Sequence, residues 1–278
     1  MSEGLPPPRI HPSAVIGPDV ELGPGVEIGA FCLLDGRIRI GASTRLAGHV
    51  TILGDVEIGE ANVLHPNAVI GDEPQDIAYR GGPRRVRIGA RNVFREGVTV
   101  HRGSERGDIT IIGDDNFLMQ NAHVAHDCRV GNGTIIAGGA LLAGWVEVGD
   151  RVLVSGNCVV HQFVRIGRFA MMRGMSRTSR DIPPFCVADL THTLRGINVV
   201  GLKRAGFDIR AIASLRRAFK ILFGTRRNLK LALAELAEQQ AAATPAVAEM
   251  VEFIRASRRG IAFGPRSGVA SNPGDPDD

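Results

Sequence analysis

The sequence predicts a mainly β protein: a parallel β-helix of hexapeptide repeats over residues 1–189, a C-terminal α-helical domain over 190–260 and a disordered tail over 261–278. Three features of the 278-residue chain support this reading. An apolar residue recurs at every sixth position, a small or β-branched residue follows it four positions later, and past about Pro184 the apolar spacing becomes helical.

Counting in sixes from Ile10 meets Ile16, Leu22, Ile28, Leu34, Ile40, Leu46, Ile52, Ile58, Leu64 and Ile70. The same phase resumes at Ile88, Phe94 and Val100, and again from Ile112 to Met172. An amphipathic helix repeats at 3.6 residues and an ordinary strand at two, so neither explains a strict six. Hexapeptide repetition is a signature of the parallel β-helix, where three short strands make one triangular coil of about 18 residues and stacked coils bury the aliphatic ladders. The chain has the side chains for this, with 44 % hydrophobic residues but a single Trp and a single Tyr. Glycine often follows the apolar position, as at Gly17, Gly41, Gly59, Gly131 and Gly149, where a turn needs positive φ or a neighbouring backbone comes close. Four residues after the apolar position stand Ala14, Val20, Thr44, Ala122, Thr134 and Ala140. Cys32, Cys128 and Cys158 share that small inward position and read as core filler, and no C-x-x-C pair suggests zinc or redox chemistry.

Two stretches interrupt the period, with Asp76, Gly82 and Arg106 at the missing apolar positions. The surplus residues fall in segments 71–87 and 101–111, which are expected to leave the coil as loops. Loops on a rigid scaffold are where binding and catalytic residues concentrate. Downstream, Asp208 is placed to cap a helix that carries Ile212, Leu215, Phe219 and Leu222 on one face and ends at Gly224. A second helix is expected over about Leu229–Ala242 and a third over about Pro245–Ser257, stopped near Gly260. The final GPRSGVASNPGDPDD has a disorder-prone composition.

A net charge of +4, dispersed arginines and few aromatics argue against nucleic-acid binding. No window approaches the roughly 18 apolar residues of a transmembrane segment. The N-terminal MSEGLPPPRIHP lacks the basic-then-apolar layout of a signal peptide, so a cytoplasmic protein is expected.

With the insertions removed, each residue can be indexed on the coil. His101 and His161 then share one coil position three coils apart, a span of about 14 Å along one edge. His126 lies beside that position on the coil after His101, and Gly144 stands one coil beyond His126 in the same column. Such a row suits a groove for an extended ligand rather than a compact metal cage, whereas His11, His49 and His65 read as structural. In the segment HVAHDC, His126 is the expected general base: a neutral imidazole takes a proton from a hydroxyl near neutral pH, and an acceptor on its other nitrogen fixes the tautomer. Asp127 is the expected acceptor, through side chain or backbone, because neighbours along a strand face opposite ways. Gly144 leaves a backbone N–H open to a developing oxyanion.

The segments GDEPQD, HRGSERGD, NAHVAHDC, LLAGW, VVHQF, RDIPPF and GINVVGLKRAGF follow one another along this repeat. In that order, over about residues 10–258, they resemble the acyl-[acyl-carrier-protein]:UDP-N-acetylglucosamine O-acyltransferases of lipid A biosynthesis. The resemblance implies a left-handed β-helix and a homotrimer with active sites at subunit interfaces. It also implies transfer of an (R)-3-hydroxyacyl chain from acyl carrier protein to the sugar 3-hydroxyl, with no cofactor and no metal. Carried onto this chain, it makes His126 the catalytic base and the Gly144 N–H the oxyanion donor. Asp76, His101, His123, His161, Gln162, Asn198 and Arg204 match positions for sugar, phosphate or uridine recognition, and Gly174 matches a position that selects acyl length. A guanidinium at Arg204 suits phosphate. The basic residues Lys203, Arg204, Arg216, Arg217 and Lys220 offer acidic acyl carrier protein a docking face, or a solvated surface.

This chain departs from the pattern at Trp145, where His is usual, at Ala78, where Lys is usual, and at Val200 and Ala205 near the uridine positions. Three other readings stay open on the residues. One is N-acylation of a 3-amino sugar nucleotide. A second is a metal-dependent carbonic anhydrase-like lyase with His101, His123 and His126 as a zinc-type cluster. The third is a non-catalytic paralogue.

Overall fold

The computed structural model describes residues 4–104, 107, 109–224, 228–238 and 244–264. Parallel strands of two to four residues wind into a three-sided prism whose faces are sheets of eleven, nine and eight strands among the described residues. The sixfold phase sets the register. On the nine-stranded face Ile52, Ile70, Val100, Val124, Leu142 and Val160 stack in one inward column. All six are wholly buried, and each such side chain contributes roughly 1.5–3 kcal/mol by leaving water.

The corners show which of the two glycine rationales holds. Apart from Gly71, with φ of 82°, the glycines after the apolar position do not adopt positive φ; they admit the backbone of the next coil. A Cβ on Gly149, for example, would stand 2.6 Å from the Arg168 nitrogen. The left-handed turn falls two residues later, at Phe31, His49, Asn67, Asp127, Trp145, Phe163 and Met175 among others. Non-glycine residues there cost about 1–2 kcal/mol each, which the stacked coils on either side enforce.

A buried polar ladder climbs the corner between the eight- and eleven-stranded faces. The Asn62 N–H donates to Thr44 Oγ1, the Asn92 N–H to Asn62 Oδ1, the Asn116 N–H to Asn92 Oδ1 and the Thr134 N–H to Asn116 Oδ1, at 2.7–3.1 Å. Both loops leave from another corner, between the nine- and eight-stranded faces. Strands Val69–Asp72 and Arg85–Ile88 trim the first excursion to residues 73–84, and strands Thr99–His101 and Ile109–Ile112 trim the second to 102–108. These loops are shorter than the expected 71–87 and 101–111 because their ends pair with neighbouring coils.

Beyond the coils, strands Cys186–Asp189 and Thr193–Ile197 form an antiparallel hairpin on the eleven-stranded face, so β structure runs past residue 189. Four helices follow: α1 (Val199–Arg204), α2 (Ile209–Phe223), α3 (Leu229–Glu238) and α4 (Pro245–Arg255). Asp208 caps α2 by accepting from the Ala211 N–H at 2.7 Å, and Ile212, Leu215, Phe219 and Leu222 are its buried face. The six-residue α1 was not foreseen, being too short to display a period. Arg168 ties α4 to the coils: it pairs with Glu249 at 2.6 Å and lies over the Phe185 ring at 5.0 Å. Ile261 and Phe263 pair with Asp181 and Thr193, and Arg180 covers the Phe263 ring at 4.4 Å. Residues 261–264 are therefore seated on the body of the protein, and the remainder of the expected disordered tail lies outside the described residues. Among the described residues no helix is long and apolar enough to cross a membrane.

Candidate active site

The corner that follows the nine-stranded face carries the chemistry. His123 sits on that face, in register with Thr99 one coil before and Leu141 one coil after. His126 and Asp127 make the next turn. Asp127 has φ of 60°, and this left-handed kink brings its carboxylate back onto the preceding residue. His126 Nδ1 lies 2.9 Å from Asp127 Oδ2. A carboxylate only accepts, so Nδ1 carries a proton. The contact thus runs through the Asp127 side chain, because the residue occupies a turn and not a strand.

Gly144 stacks directly on this imidazole. A Cβ at 144 would lie 2.7 Å from His126 Nε2 and closer still to Cε1. Among the described residues no acceptor takes the Gly144 N–H, while its flanking amides are used: Ala143 N–H bonds Val160 O and Trp145 N–H bonds His126 O. The imidazole and this free amide are neighbours. Trp145 closes the other side, with its ring perpendicular to His126 at 4.6 Å and stacked on Phe163 at 4.8 Å. These aromatic contacts were not anticipated; the sequence marks Trp145 only as a departure.

His101 and His123 meet edge to face at 5.3 Å. His101 Nδ1 bonds the Glu73 carbonyl, which fastens the 73–84 loop to this edge, and His123 Nδ1 shares a 2.7 Å hydrogen bond with Thr99 Oγ1. Burial, with His101 and His126 as neighbours, pushes the His123 imidazole down to about 4. His123 is therefore neutral at physiological pH and available for hydrogen bonding. His161 and Gln162 are exposed one coil above Gly144, and Arg259 donates to His161 Nδ1 at 3.2 Å. Asp76 lies in the 73–84 loop, where its Oδ1 accepts from the Ala78 N–H at 2.9 Å. Among the described residues no group of three or more His, Cys, Asp or Glu side chains is arranged to hold a metal ion.

Not every expected site residue gathers here. Asn198 caps α1, accepting from the Gly201 N–H and donating to Phe169 O. With Arg204 it lines a cavity of about 370 Å³ over the eleven-stranded face, on another side of the prism from His126. Gly174 occupies the corner that precedes the nine-stranded face, in a column with Gly138 and Gly156. Between that corner and His126 the nine-stranded face exposes Leu141 and Val159.

A histidine–aspartate pair beside a free amide, on stacked hexapeptide coils, defines a hexapeptide-repeat transferase. Residues 109–144 match the bacterial transferase hexapeptide family, six repeats of it, and residues 181–262 match domain 2 of UDP-N-acetylglucosamine O-acyltransferase. The fold is also similar to that of solved UDP-N-acetylglucosamine acyltransferases. That of Campylobacter jejuni is 40 % identical with a TM-score of 0.85, over 92 % of this chain and 99 % of the other. That of Francisella novicida is 33 % identical with a TM-score of 0.88, over 93 % and 95 %. The Arabidopsis enzyme is 34 % identical with a TM-score of 0.80, over 91 % and 99 %. The chain belongs to the UDP-N-acetylglucosamine O-acyltransferase family; it is an acyltransferase built on a left-handed parallel β-helix.

Proposed function

We propose that this protein transfers an (R)-3-hydroxyacyl chain from acyl carrier protein to the 3-hydroxyl of UDP-N-acetylglucosamine, the first step of lipid A biosynthesis. The observation that carries this reading is the His126 imidazole stacking on Gly144, whose N–H has no partner among the described residues. His126 Nε2 takes the proton of the sugar hydroxyl as its oxygen attacks the thioester carbonyl. The C–O bond forms and the carbonyl oxygen becomes an oxyanion, to which the Gly144 N–H donates. Collapse breaks the C–S bond, and the imidazolium returns its proton to the departing thiolate. Asp127 keeps Nδ1 protonated throughout, so the base always presents the same nitrogen.

The surroundings support the partners. Exposed Leu141 and Val159 offer an acyl chain an apolar path from His126 towards Gly174, where the absent side chain leaves length for the chain end. His101, His123, His161, Gln162 and Asp76 line or flank the same edge and suit a hydroxylated sugar. Asn198 and Arg204 face away from this edge in one chain, which favours a homotrimer in which a second copy brings its cavity to the sugar nucleotide. Lys203, Arg204, Arg216, Arg217 and Lys220 are all exposed and suit acidic acyl carrier protein.

Purified protein offered 3-hydroxyacyl carrier proteins of several lengths, with UDP-N-acetylglucosamine and with its 3-amino analogue, tests the proposal. Alkali-labile ester product that disappears in His126→Ala is the expected result. Alkali-stable amide formed only on the amino sugar would replace it with the N-acylating reading, and undiminished transfer by His126→Ala would remove His126 as the base.

A further inference from the structure

The second loop, from the segment HRGSERGD, has no part in the chemistry above, yet it ends on the Asp127 carboxylate. Ser104 and Gly107 close a turn in which the Gly107 N–H donates to Ser104 O at 3.2 Å. From that turn the Ser104 N–H donates to Asp127 Oδ2 at 3.0 Å, the same oxygen that receives His126 Nδ1–H. Gly107 lies against the rest of the carboxylate: a Cβ there would stand 2.7 Å from Oδ2 and nearer to Oδ1 and Cγ. From the coil side, the Asp127 N–H donates to Thr110 Oγ1 at 2.8 Å, at the start of the strand that follows the loop. Asp127 is only 7 % exposed, and both its Oδ1 and the Ser104 hydroxyl are buried without a partner among the described residues.

We infer that the Ser104–Gly107 turn is a positioning clamp, which holds one oxygen of Asp127 on His126 Nδ1 and so fixes which imidazole nitrogen faces the substrate. Among the described residues two donors converge on Oδ2 and none on Oδ1, so the carboxylate is held in one orientation. A carboxylate free to swing about its Cβ–Cγ bond would carry both of its equivalent oxygens out of line with Nδ1 over part of its rotation, and the ring would lose its acceptor. The turn prevents this in two ways: the Ser104 amide selects the oxygen, and the bare Cα of Gly107 fills the space that rotation would need. Gly107 does not use positive φ, so the absence of a side chain there serves the contact and not the backbone. The inference rests on the reading of His126 as base.

The test compares Gly107→Ala, Ser104→Ala, Asp127→Ala, the Gly107→Ala/Asp127→Ala double variant and His126→Ala. Gly107→Ala displaces the carboxylate by more than about 1 Å, a misplacement worth at least on the order of 10²-fold. The expected result is a fall of that size in kcat with little change in the sugar KM, and in ¹⁵N NMR a shift of His126 away from the Nδ1–H tautomer. Ser104→Ala keeps the donating amide and is expected to stay within about threefold of the parent, since its hydroxyl has no partner to lose. In the Asp127→Ala background, where the colliding atoms are gone, Gly107→Ala is expected to add nothing further. Should Gly107→Ala alone not fold, recovery of folding in the double variant supports the contact, and its failure to recover overturns it. An unchanged tautomer and kcat in folded Gly107→Ala overturns the clamp. A changed tautomer with full activity in His126→Ala leaves the clamp standing and sinks the reading of the base.

Discussion

Replacing Gly144 by alanine separates catalysis from folding. The backbone at 144 has no positive φ, so an L-residue fits it without the strain that a left-handed position imposes. The new Cβ, however, would lie 2.7 Å from His126 Nε2. Carbon and nitrogen rest about 3.5 Å apart, so the imidazole must retreat by close to 1 Å. It has little room to do so. Asp127 holds Nδ1 at 2.9 Å, and Trp145 stands against the ring at 4.6 Å, itself backed by Phe163 at 4.8 Å. The amide proposed to receive the oxyanion survives the substitution, so the loss measures displacement of the proposed base. A shift of that size costs on the order of 10²-fold in kcat, or about 3 kcal/mol of transition-state stabilisation. The assay is steady-state acyl transfer together with a thermal melt, for Gly144→Ala, His126→Ala and the double variant. The double variant is expected to match His126→Ala, because the added methyl then has no imidazole to move. Activity of Gly144→Ala within about threefold of the parent, or additive losses in the double variant, would refute the stacked arrangement.

Asp127→Asn offers His126 an amide in place of an acceptor-only group and still meets the Ser104 N–H; the expected loss is about 10²–10⁴-fold in kcat with the fold intact, measured by transfer kinetics and circular dichroism. Stability should depend on pH through His123: unfolded, its imidazole takes a proton below about 6.5, whereas folded it resists until about 4. The unfolded state therefore binds more protons in that window, and stability falls as pH drops through it, by about 2 kcal/mol after allowance for partial exposure. Urea titrations at pH 7 and pH 4.5 check this, and His123→Gln is expected to flatten the difference. Asn92→Ala strands the Asn116 N–H inside the coil stack, while the backbone N–H at 92 still donates to Asn62 Oδ1, and is expected to cost about 1–3 kcal/mol in denaturant midpoint measurements.

The sixfold phase made the core, the register and the two excursions legible before any coordinates. It also placed His126 and Gly144 in one column, which the stacking of the imidazole on that glycine bears out geometrically. The left-handed corners were not legible, because the residues that adopt them, Phe31, Trp145 and Phe163 among them, are chosen by neighbouring coils and not by their own preferences. For the same reason the Asp127 side-chain contact was undecided: a strand geometry would have turned it away, and only the turn brings it back. Asn62, Asn92 and Asn116 sit at the small inward position, where a pattern reader looking for size misses hydrogen bonding. The Asn198 and Arg204 matches could be quoted from sequence, but their separation from His126 needed the course of the hairpin and α1.

The asparagine ladder gives the coils a way to keep count. Hydrophobic stacking rewards any aliphatic side chain in the core, and would tolerate a coil that slipped or gained a residue. Each amide rung instead accepts from one particular N–H on the next coil, so an error of a single residue would leave buried donors and acceptors without partners above it. Thr44 to Thr134 brackets the coils from which both loops depart, and the rungs stand at a different corner. The loops are thus free to change in length and sequence while the frame that sets His126 beneath Gly144 is read off elsewhere. Substrate range can evolve at one corner because alignment is enforced at another.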